Sequence, residues 1–553
     1  MLTYSSPEKK ILPKSYEKPW LLILLTLIWL WAGIIGRDLW GEEGYLYAYI
    51  NSMIETQRWL LPNIYGVPYI SSSPFYLWLG GISKLSLTSI GIPEYISVRF
   101  LTLVMISTSL LVLGIATKNF LGHRYSRVTP LMTIGCVGII LFSHNISQLP
   151  LLFFSLNLYS YALSQYKANK IFRTGLLISL SWMVAFYIQN LPPVLLLMFI
   201  SICLTLHPGW RNRQYYLVLL VSIFIFLPLA ALWPSALYIV YPTYFDMWLD
   251  LYSLGVYGGF SLPKFSLPTW YYFKNIIWYT FPAFPLAVWA IIKLKQESYK
   301  NPIYFFFSLW IALGFIFLLF QSDPENNQLI LIIPPLVFLA TSQIDTLKRE
   351  FAAFLNWLGI TTFGLLALFI WAEYIAINLN LSNELYARST YFNPLYQPHI
   401  SIMVILIALT FTPIWLYSVN RKHIEGRQAV TNWATGVTFI WLLMMTLFLS
   451  WLDTSKSPRP LITELENMIP ETTLNKFNKL QVCANSDDLK TLISWNEYSQ
   501  FKIQSSINKP LNFCQYRILL STEQEFTAKY PQVRTTWHAT RQRKKNNIFI
   551  LWE

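Results

Sequence analysis

The chain has 553 residues, of which 54% are hydrophobic, 17% aromatic and only 12% charged. Ordinary globular chains carry roughly 25% charged residues, so a string of three or four soluble domains is excluded. The net charge of +14, from 41 basic and 27 acidic residues, mostly trims apolar segments; it points to anionic lipid headgroups and away from nucleic acid.

Thirteen apolar blocks are predicted to cross a membrane, at about 20–36, 98–116, 128–142, 150–165, 173–189, 193–206, 215–233, 276–294, 303–321, 328–344, 354–373, 400–417 and 432–452. Each is long enough, or nearly so, for a hydrocarbon layer roughly 30 Å thick. Lys9, Lys10, Lys14 and Lys18 precede the first block. Alternate loops then carry Lys118, Arg124, Arg127; Lys167, Lys170, Arg173; Arg211, Arg213; Lys293, Lys295, Lys300; Lys348, Arg349; and Arg421, Lys422, Arg427. The opposite loops hold few cations: Arg37, Arg58, Lys84, Lys264, Lys274 and Arg388, with Arg99 at a helix end. The positive-inside rule therefore places segment 1–19 in the cytoplasm and, after an odd number of crossings, the C-terminus outside. The first block lacks a small-residue cleavage site, so it is expected to remain as a helix.

Three opposite-side loops stand out, at 37–97, 234–275 and 374–399. The first opens with GEEGYLYAYI, placing Glu42 and Glu43 side by side at the edge of an apolar run. Within it Leu46, Tyr49, Ile50, Met53 and Ile54 recur at helical spacing, which predicts a short amphipathic helix lying in the interface. PFYLWLGGISKL is expected to form a second.

The transmembrane region is expected to span 20–452, and from Asp453 the composition becomes that of a soluble domain. KLQVCA, QFKIQSS, CQYRILLS, VRTTWHA and NNIFILWE read as strands, while DDLKTLISWNEYS and STEQEFTAKY read as helices between some of them. A small exterior α/β domain over 453–553 is expected. Cys136 and Cys203 fall in membrane helices as apolar packing groups. Cys483 and Cys514 fall in the exterior segment, where a disulfide persists, and a bridge between them is one expectation. The six histidines are scattered and no pair has metal-ligand spacing. No Walker A loop or dinucleotide fingerprint is present. Asp246 and Asp250, four apart, read as a solvated helix face.

The first loop, GEEGYLYAYINSMIETQRWLLPNIYGVPYISSSPFYLWL, resembles that of bacterial glycosyltransferases related to the aminoarabinose transferase of lipid A. These are relatives of the protein O-mannosyltransferases, in the GT-C class. In that family the loop reads Pro-Asp-Glu-Gly-Arg-Tyr, then a Met, an Asp-Trp, a Pro, and Gly-Val-Pro-Tyr-Leu-Glu-Lys-Pro-Pro. Without a gap this chain supplies Glu42, Glu43, Gly44, Met53, Trp59, Pro62, Gly66, Val67, Pro68, Tyr69 and Pro74, and Arg99 falls where the family has an Arg. The departures are as specific. The catalytic Asp falls on Glu42 and the following Arg on Tyr45. Glu-Lys-Pro falls on Ser71, Ser72 and Ser73, an acid before the fourth crossing on Gln148, and SDPENNQ lacks a basic residue expected near the tenth.

The resemblance implies a polytopic α-helical membrane protein of the GT-C kind. It would transfer a sugar from a polyprenyl-phosphate carrier to a lipid, protein or polysaccharide at the outer face of a bacterial inner membrane. It also implies Glu42 as the catalytic base with Glu43 supporting it. The leaving phosphate needs cationic stabilisation, for which Arg99, Lys84, Lys264 and Lys274 are candidates, with Arg37 and Arg58 behind them and Tyr69 beside the substrate. No cofactor is expected, and the sequence leaves a divalent metal open. Two rivals remain: a non-catalytic relative that binds lipid-linked glycan or a membrane partner, and a lipid-sugar transporter. Charges are nearly absent from the helix interiors, which disfavours the transporter.

Overall fold

Backbone polar groups in hydrocarbon have no water to bond, so apolar stretches of this length satisfy themselves as helices. The structure, a computed structural model, describes residues 19–166, 170–261, 263–265, 269–379, 383–419, 425–477, 482–484, 489–505, 516–529, 531, 536–541 and 546–552. Among these, seven helices are long and apolar enough to cross a membrane: Glu94–Leu121, Ile171–Gln189, Arg213–Val240, Pro302–Leu319, Arg349–Leu379, Ile402–Val419 and Gly426–Leu447. Shorter apolar helices run over Leu149–Ser164, Leu191–Leu206 and Asn326–Ser342. The chain is a multi-pass helical membrane protein. Lys9, Lys10, Lys14, Lys18, Arg421, Lys422 and Cys514 lie outside the described residues.

Two predicted blocks are not straight spans. His123–Gly135 and Val137–Ser143 meet at 77°, and Trp270–Tyr279 and Ala283–Leu294 meet at 101°. At the first break Cys136 leaves the helical region, with ψ at 115°. At the second Pro282 offers no N–H to continue the ladder. The breaks face each other: Cys136 Sγ donates to the Thr280 carbonyl at 3.4 Å, and Trp433 Nε1 caps the Gly135 carbonyl at 3.1 Å.

Helix Glu94–Leu121 packs on Leu149–Ser164, which packs on Ile171–Gln189, which in turn packs on Arg213–Val240. The partner layer pairs Arg349–Leu379 with Gly426–Leu447. At one end of the bundle Arg427 grips Asp345 through two bonds of 2.7 Å, joined by Tyr125 Oη at 3.0 Å.

The first loop carries two helices, Glu43–Thr56 and Phe75–Thr88. Tyr49, Ile50 and Met53 are fully buried, and Leu46 and Ile54 are partly so. Gly80 and Gly81 allow the close approach: a Cβ at Gly80 would stand 2.6 Å from Ile50 Cδ1, and one at Gly81 3.0 Å from Met53 Cε. Between the helices β1 (Asn63–Ile64) and β2 (Val67–Pro68) form a hairpin. Its Tyr65 and Gly66 have φ of 51° and 89°, the mirror-image turn that suits the strand twist.

Beyond Lys456, helix Arg459–Met468 buries Leu461, Ile462 and Leu465 in a second apolar core with Trp495, Phe501 and Ile518. The strands here are β3 (Val482–Ala484), β4 (Gln504–Ser505), β5 (Tyr516–Thr522), β6 (Thr536–Arg541) and β7 (Asn546–Trp552). They form one sheet in the order β4-β3-β5-β7-β6, parallel around β3 and antiparallel around β7. Cys483, on β3, is disulfide-bonded.

This C-terminal region is stapled to the start of the first loop. Asp453 Oδ1 accepts from the Asp38 N–H at 2.9 Å and from Trp40 Nε1 at 2.7 Å. Asp38 in turn takes Ser457 Oγ and Arg459, each at 2.9 Å. Tyr498 Oη accepts from the Leu39 N–H at 3.1 Å, and Asn496 bonds Tyr65. Beside these sits Glu497, which faces Glu94, Lys84, Lys502 and Arg459. Burial, then the Glu94 charge, pushes its carboxyl up to about 7.

A carboxyl raised in the folded state binds its proton more tightly there than in the unfolded chain. Its stabilising contribution is complete near the ordinary value of 4.5 and is lost as pH rises through about 7. Thermal midpoints in detergent should therefore fall between those pH values, and Glu497→Gln should flatten that slope. An unchanged slope in the variant would show that Glu497 is not its source.

Candidate functional site

The two adjoining acids of the first loop point in different directions, as adjacent helical residues must, about 100° apart. The Glu42 carbonyl accepts from the Tyr45 and Leu46 N–H groups at 3.1 and 3.4 Å, so Glu42 opens the first helical turn. Its side chain is exposed. Glu43 turns inward and is 2% exposed.

Glu43 is the centre of a buried ion cluster. Arg37 donates to both its oxygens, through Nη1 at 2.7 Å and Nη2 at 3.0 Å. Arg99 does the same, through Nε and Nη2, each at 3.1 Å. The Trp40 N–H at 2.9 Å and the Ile146 N–H at 2.8 Å complete the shell. Each carboxylate oxygen thus accepts three hydrogen bonds. Burial alone would raise this carboxyl, but the charges of Arg99 and Arg37 and their hydrogen bonds override it and hold it down to about 2.

The guanidiniums reach further. Arg99, 0% exposed, also donates to the carbonyls of Arg37 at 2.9 Å and Asp38 at 2.5 Å. Arg37 Nη2 donates to the His144 carbonyl at 2.6 Å and Asn145 Oδ1 at 2.9 Å. One carboxylate therefore ties the 37–43 segment, helix Glu94–Leu121 and the 144–146 segment into one unit.

That unit sets a wall of neutral polar groups. On helix Glu43–Thr56, Tyr45 and Tyr49 follow Glu42 by three and seven residues and share its face. Tyr45 Oη and Tyr49 Oη are 3.2 Å apart, and the Tyr49 and Tyr69 rings meet edge to face at 5.1 Å. Tyr69 Oη lies 3.0 Å from Ser72 Oγ. Gln148, just beyond the clamped segment, donates to Tyr69 Oη and, at 2.9 Å, to Ser72 Oγ. Asn190 Nδ2 stitches Ser71 to Tyr252 through their carbonyls at 2.9 and 3.0 Å. Glu325 feels the charge of Glu42: its carboxyl is raised by burial and by the charges of Asp323 and Glu42. The 321–325 turn is held by Tyr272 Oη on Gln321 at 2.5 Å and by Ser322 N–H on the Val256 carbonyl at 2.9 Å.

The candidate residues are thus sorted. Glu42 and Tyr69 come together on one wall, with Tyr69 buried. Glu43 and Arg99 lie in the cluster behind it. Lys84 is drawn aside: it pairs with Glu94 at 2.5 Å, bonds Asn51 at 2.6 Å and sits over the Tyr47 ring. Lys264 and Lys274 are exposed, both after Val256 in the chain. Among the described residues no group of three His, Cys, Asp or Glu side chains could hold a metal ion. Arg37 as a second clamp and the Asp38–Asp453 staple were not singled out from sequence. Their signal was charge density, since Arg37 and Asp38 fall four to six residues from two acids in a charge-poor chain.

The resemblance read from the first loop extends to the fold, which is similar to that of ArnT over nearly the whole chain. The crystal structure of ArnT from Cupriavidus metallidurans in the apo state matches with a TM-score of 0.65 at 13% identity, covering 96% of this chain and 97% of that one. The same protein bound to undecaprenyl phosphate matches with the same values. The oligosaccharyltransferase of Archaeoglobus fulgidus aligns at a TM-score of 0.47 and 11% identity, over 92% of this chain and 69% of that one. No protein-family model and no curated protein matches the chain.

Removing one partner from a buried ion cluster leaves uncompensated charge. Glu43→Gln, which keeps size, should cost about 3–5 kcal/mol of stability, read as a lowered thermal midpoint in detergent. In the native protein the Glu43 contribution is present above about pH 4.5 and is lost as pH falls through about 2. A variant as stable as the parent over that range would show that the clamp does not hold the fold.

Proposed function

We propose that the chain is an integral-membrane glycosyltransferase. It moves a sugar from a polyprenyl-phosphate carrier to a hydroxyl or amine acceptor on the non-cytoplasmic side of a bacterial inner membrane. The observation that carries this reading is one exposed carboxylate, Glu42, fixed by a buried clamp in a fold shared end to end with ArnT. ArnT in one of its structures holds undecaprenyl phosphate, and a carrier of that class suits a site at the edge of an apolar bundle. Thirteen crossings follow if the seven long helices, the two bent pairs, the three shorter helices and Pro19–Trp31 each count as one. The region after Lys456 is then an exterior α/β domain.

The chemistry assigns each group a task. The acceptor O–H or N–H gives its proton to the Glu42 carboxylate as its lone pair attacks the anomeric carbon. The bond from that carbon to phosphate oxygen breaks, and its electron pair leaves with the carrier phosphate. Lys264 and Lys274, and Arg58 behind them, are exposed cations for that charge. Arg99 is not: its donors are spent on Glu43 and backbone carbonyls, so it acts by positioning. Glu43 has no free lone pair for a substrate proton. Glu42 is one methylene longer than the Asp of the family pattern and extends further from the helix.

A second reading, a carrier-binding relative without transferase activity, is favoured by one observation. Ser72 and Gln148, where the family pattern has a lysine and an acid, make a neutral pair.

Glu42→Gln keeps the side chain's size and removes the base. Transfer of labelled sugar from a polyprenyl-phosphate donor, in reconstituted membranes, should fall by about 10²–10⁴-fold, with the thermal midpoint unchanged. Full activity in that variant would remove Glu42 from the base role. Carrier binding without transfer in the parent, across donors and acceptors, would favour the second reading.

A further inference from the structure

Glu42 sits in a tight turn, and that turn decides where its exposed side chain points. The Glu43 N–H donates to the Trp40 carbonyl at 3.1 Å, which closes the four residues from Trp40 to Glu43. Gly41 takes a φ of 56°, in the left-handed region that favours glycine. Glu42 follows with φ −81° and ψ −8°, and the helix begins at the next residue. The clamp on Glu43 fixes one end of the turn. The other end is Trp40, joined to Glu42 through a glycine where an added Cβ would meet nothing within 4 Å. The aim of Glu42 therefore depends on how firmly Trp40 is held.

Trp40 and the two residues before it are held from the far end of the chain. The Asp38 N–H donates to Asp453 Oδ1 at 2.9 Å and the Leu39 N–H to Tyr498 Oη at 3.1 Å. Only the third donor in this row, the Trp40 N–H, stays within the turn, on Glu43 at 2.9 Å. Asp453 Oδ1 takes the Trp40 indole N–H as well, at 2.7 Å. The indole ring also draws two cations: Arg37 stands 4.4 Å from its centre and Lys456 4.5 Å. Tyr498 ends helix Leu489–Tyr498 and packs on the C-terminal apolar core, so its place depends on that core being folded. Leu39 is 3% exposed, and a buried N–H that loses its acceptor has no ready water to replace it.

We infer that Asp453 and Tyr498 are positioning residues for sugar transfer: with Trp40 as intermediary they hold the turn before the first loop helix and so aim the Glu42 carboxylate from the C-terminal region. The inference rests on the transferase reading above and adds two remote residues to that same site. Asp453 serves here as an acceptor. One of its oxygens takes both N–H groups, and an asparagine carbonyl can take the same pair without the charge.

The test is steady-state transfer of labelled sugar from a polyprenyl-phosphate donor by the full chain in nanodiscs. Carrier binding is followed separately, by displacement of a fluorescent polyprenyl phosphate. Asp453→Ala should lower kcat by on the order of tenfold to hundredfold, the effect of about 1 Å of misplacement, with donor KM and carrier affinity unchanged. A loss confined to kcat marks an interaction that serves the transition state and not binding. Asp453→Asn should recover most of that rate. Tyr498→Phe keeps the ring and removes only the Leu39 acceptor; it should lower kcat in the same way, and it decides the matter where Asp453→Ala does not fold. Parent-like kcat in either variant would overturn the inference while leaving the transferase reading intact. So would a kcat that falls only together with carrier affinity, or Asp453→Asn as slow as Asp453→Ala. A parent that binds carrier and transfers sugar from no donor overturns the transferase reading, and the inference with it.

Discussion

A single buried carboxylate organises this molecule. Glu43 accepts three hydrogen bonds on each oxygen, from two guanidiniums and two backbone amides. Burying such charges without partners is prohibitive, and burying them together is tolerable only when every donor is matched. Matching is what forces the geometry. Arg37 comes from the first loop, Arg99 from helix Glu94–Leu121 and Ile146 from the turn before Leu149–Ser164. Closing the cluster brings all three to one place.

What the cluster positions is chemically unlike itself. It faces inward and is saturated, whereas Glu42, the residue before it, is exposed. The helix then carries Tyr45 and Tyr49 along the Glu42 face, and the clamped 144–146 segment delivers Gln148 to Tyr69 and Ser72. A rigid ionic knot thus supports a neutral hydrogen-bonding wall and one exposed carboxylate. Precise sites need such support, because a shift of about 1 Å costs much of the rate. The Asp38–Asp453–Arg459 staple extends the same rigidity to the C-terminal sheet.

Much of this was legible in the residues, and the limits are instructive. The helical stripe through Tyr49, Ile50 and Met53 is buried because amphipathic period and packing agree. The adjacency of Glu42 and Glu43 showed that their roles must differ, since neighbours on a helix cannot share a face. It did not show which partners Glu43 would take, because Arg37, Arg99 and Ile146 are remote or unpatterned in sequence. Arg99 illustrates the difficulty. A cation at a helix end reads equally as a phosphate ligand or as a structural donor, and only its burial separates the two. The bends at Cys136 and Pro282 were hidden for a different reason: hydropathy reports apolar length and is blind to direction. The contact between Ser72 and Gln148 joins positions 76 apart in the chain, so two apparent losses of charge read separately are one local change.

The most direct measurement of the organising role of Glu43 is hydrogen–deuterium exchange, in nanodiscs, on peptides covering residues 36–48 and 141–151. If one carboxylate holds both segments, Glu43→Gln will accelerate exchange in the two peptides together, including the Ile146 amide, while the Arg427–Asp345 end of the bundle stays protected. Exchange that rises only around residue 43, with the 141–151 peptide unchanged, would contradict the account.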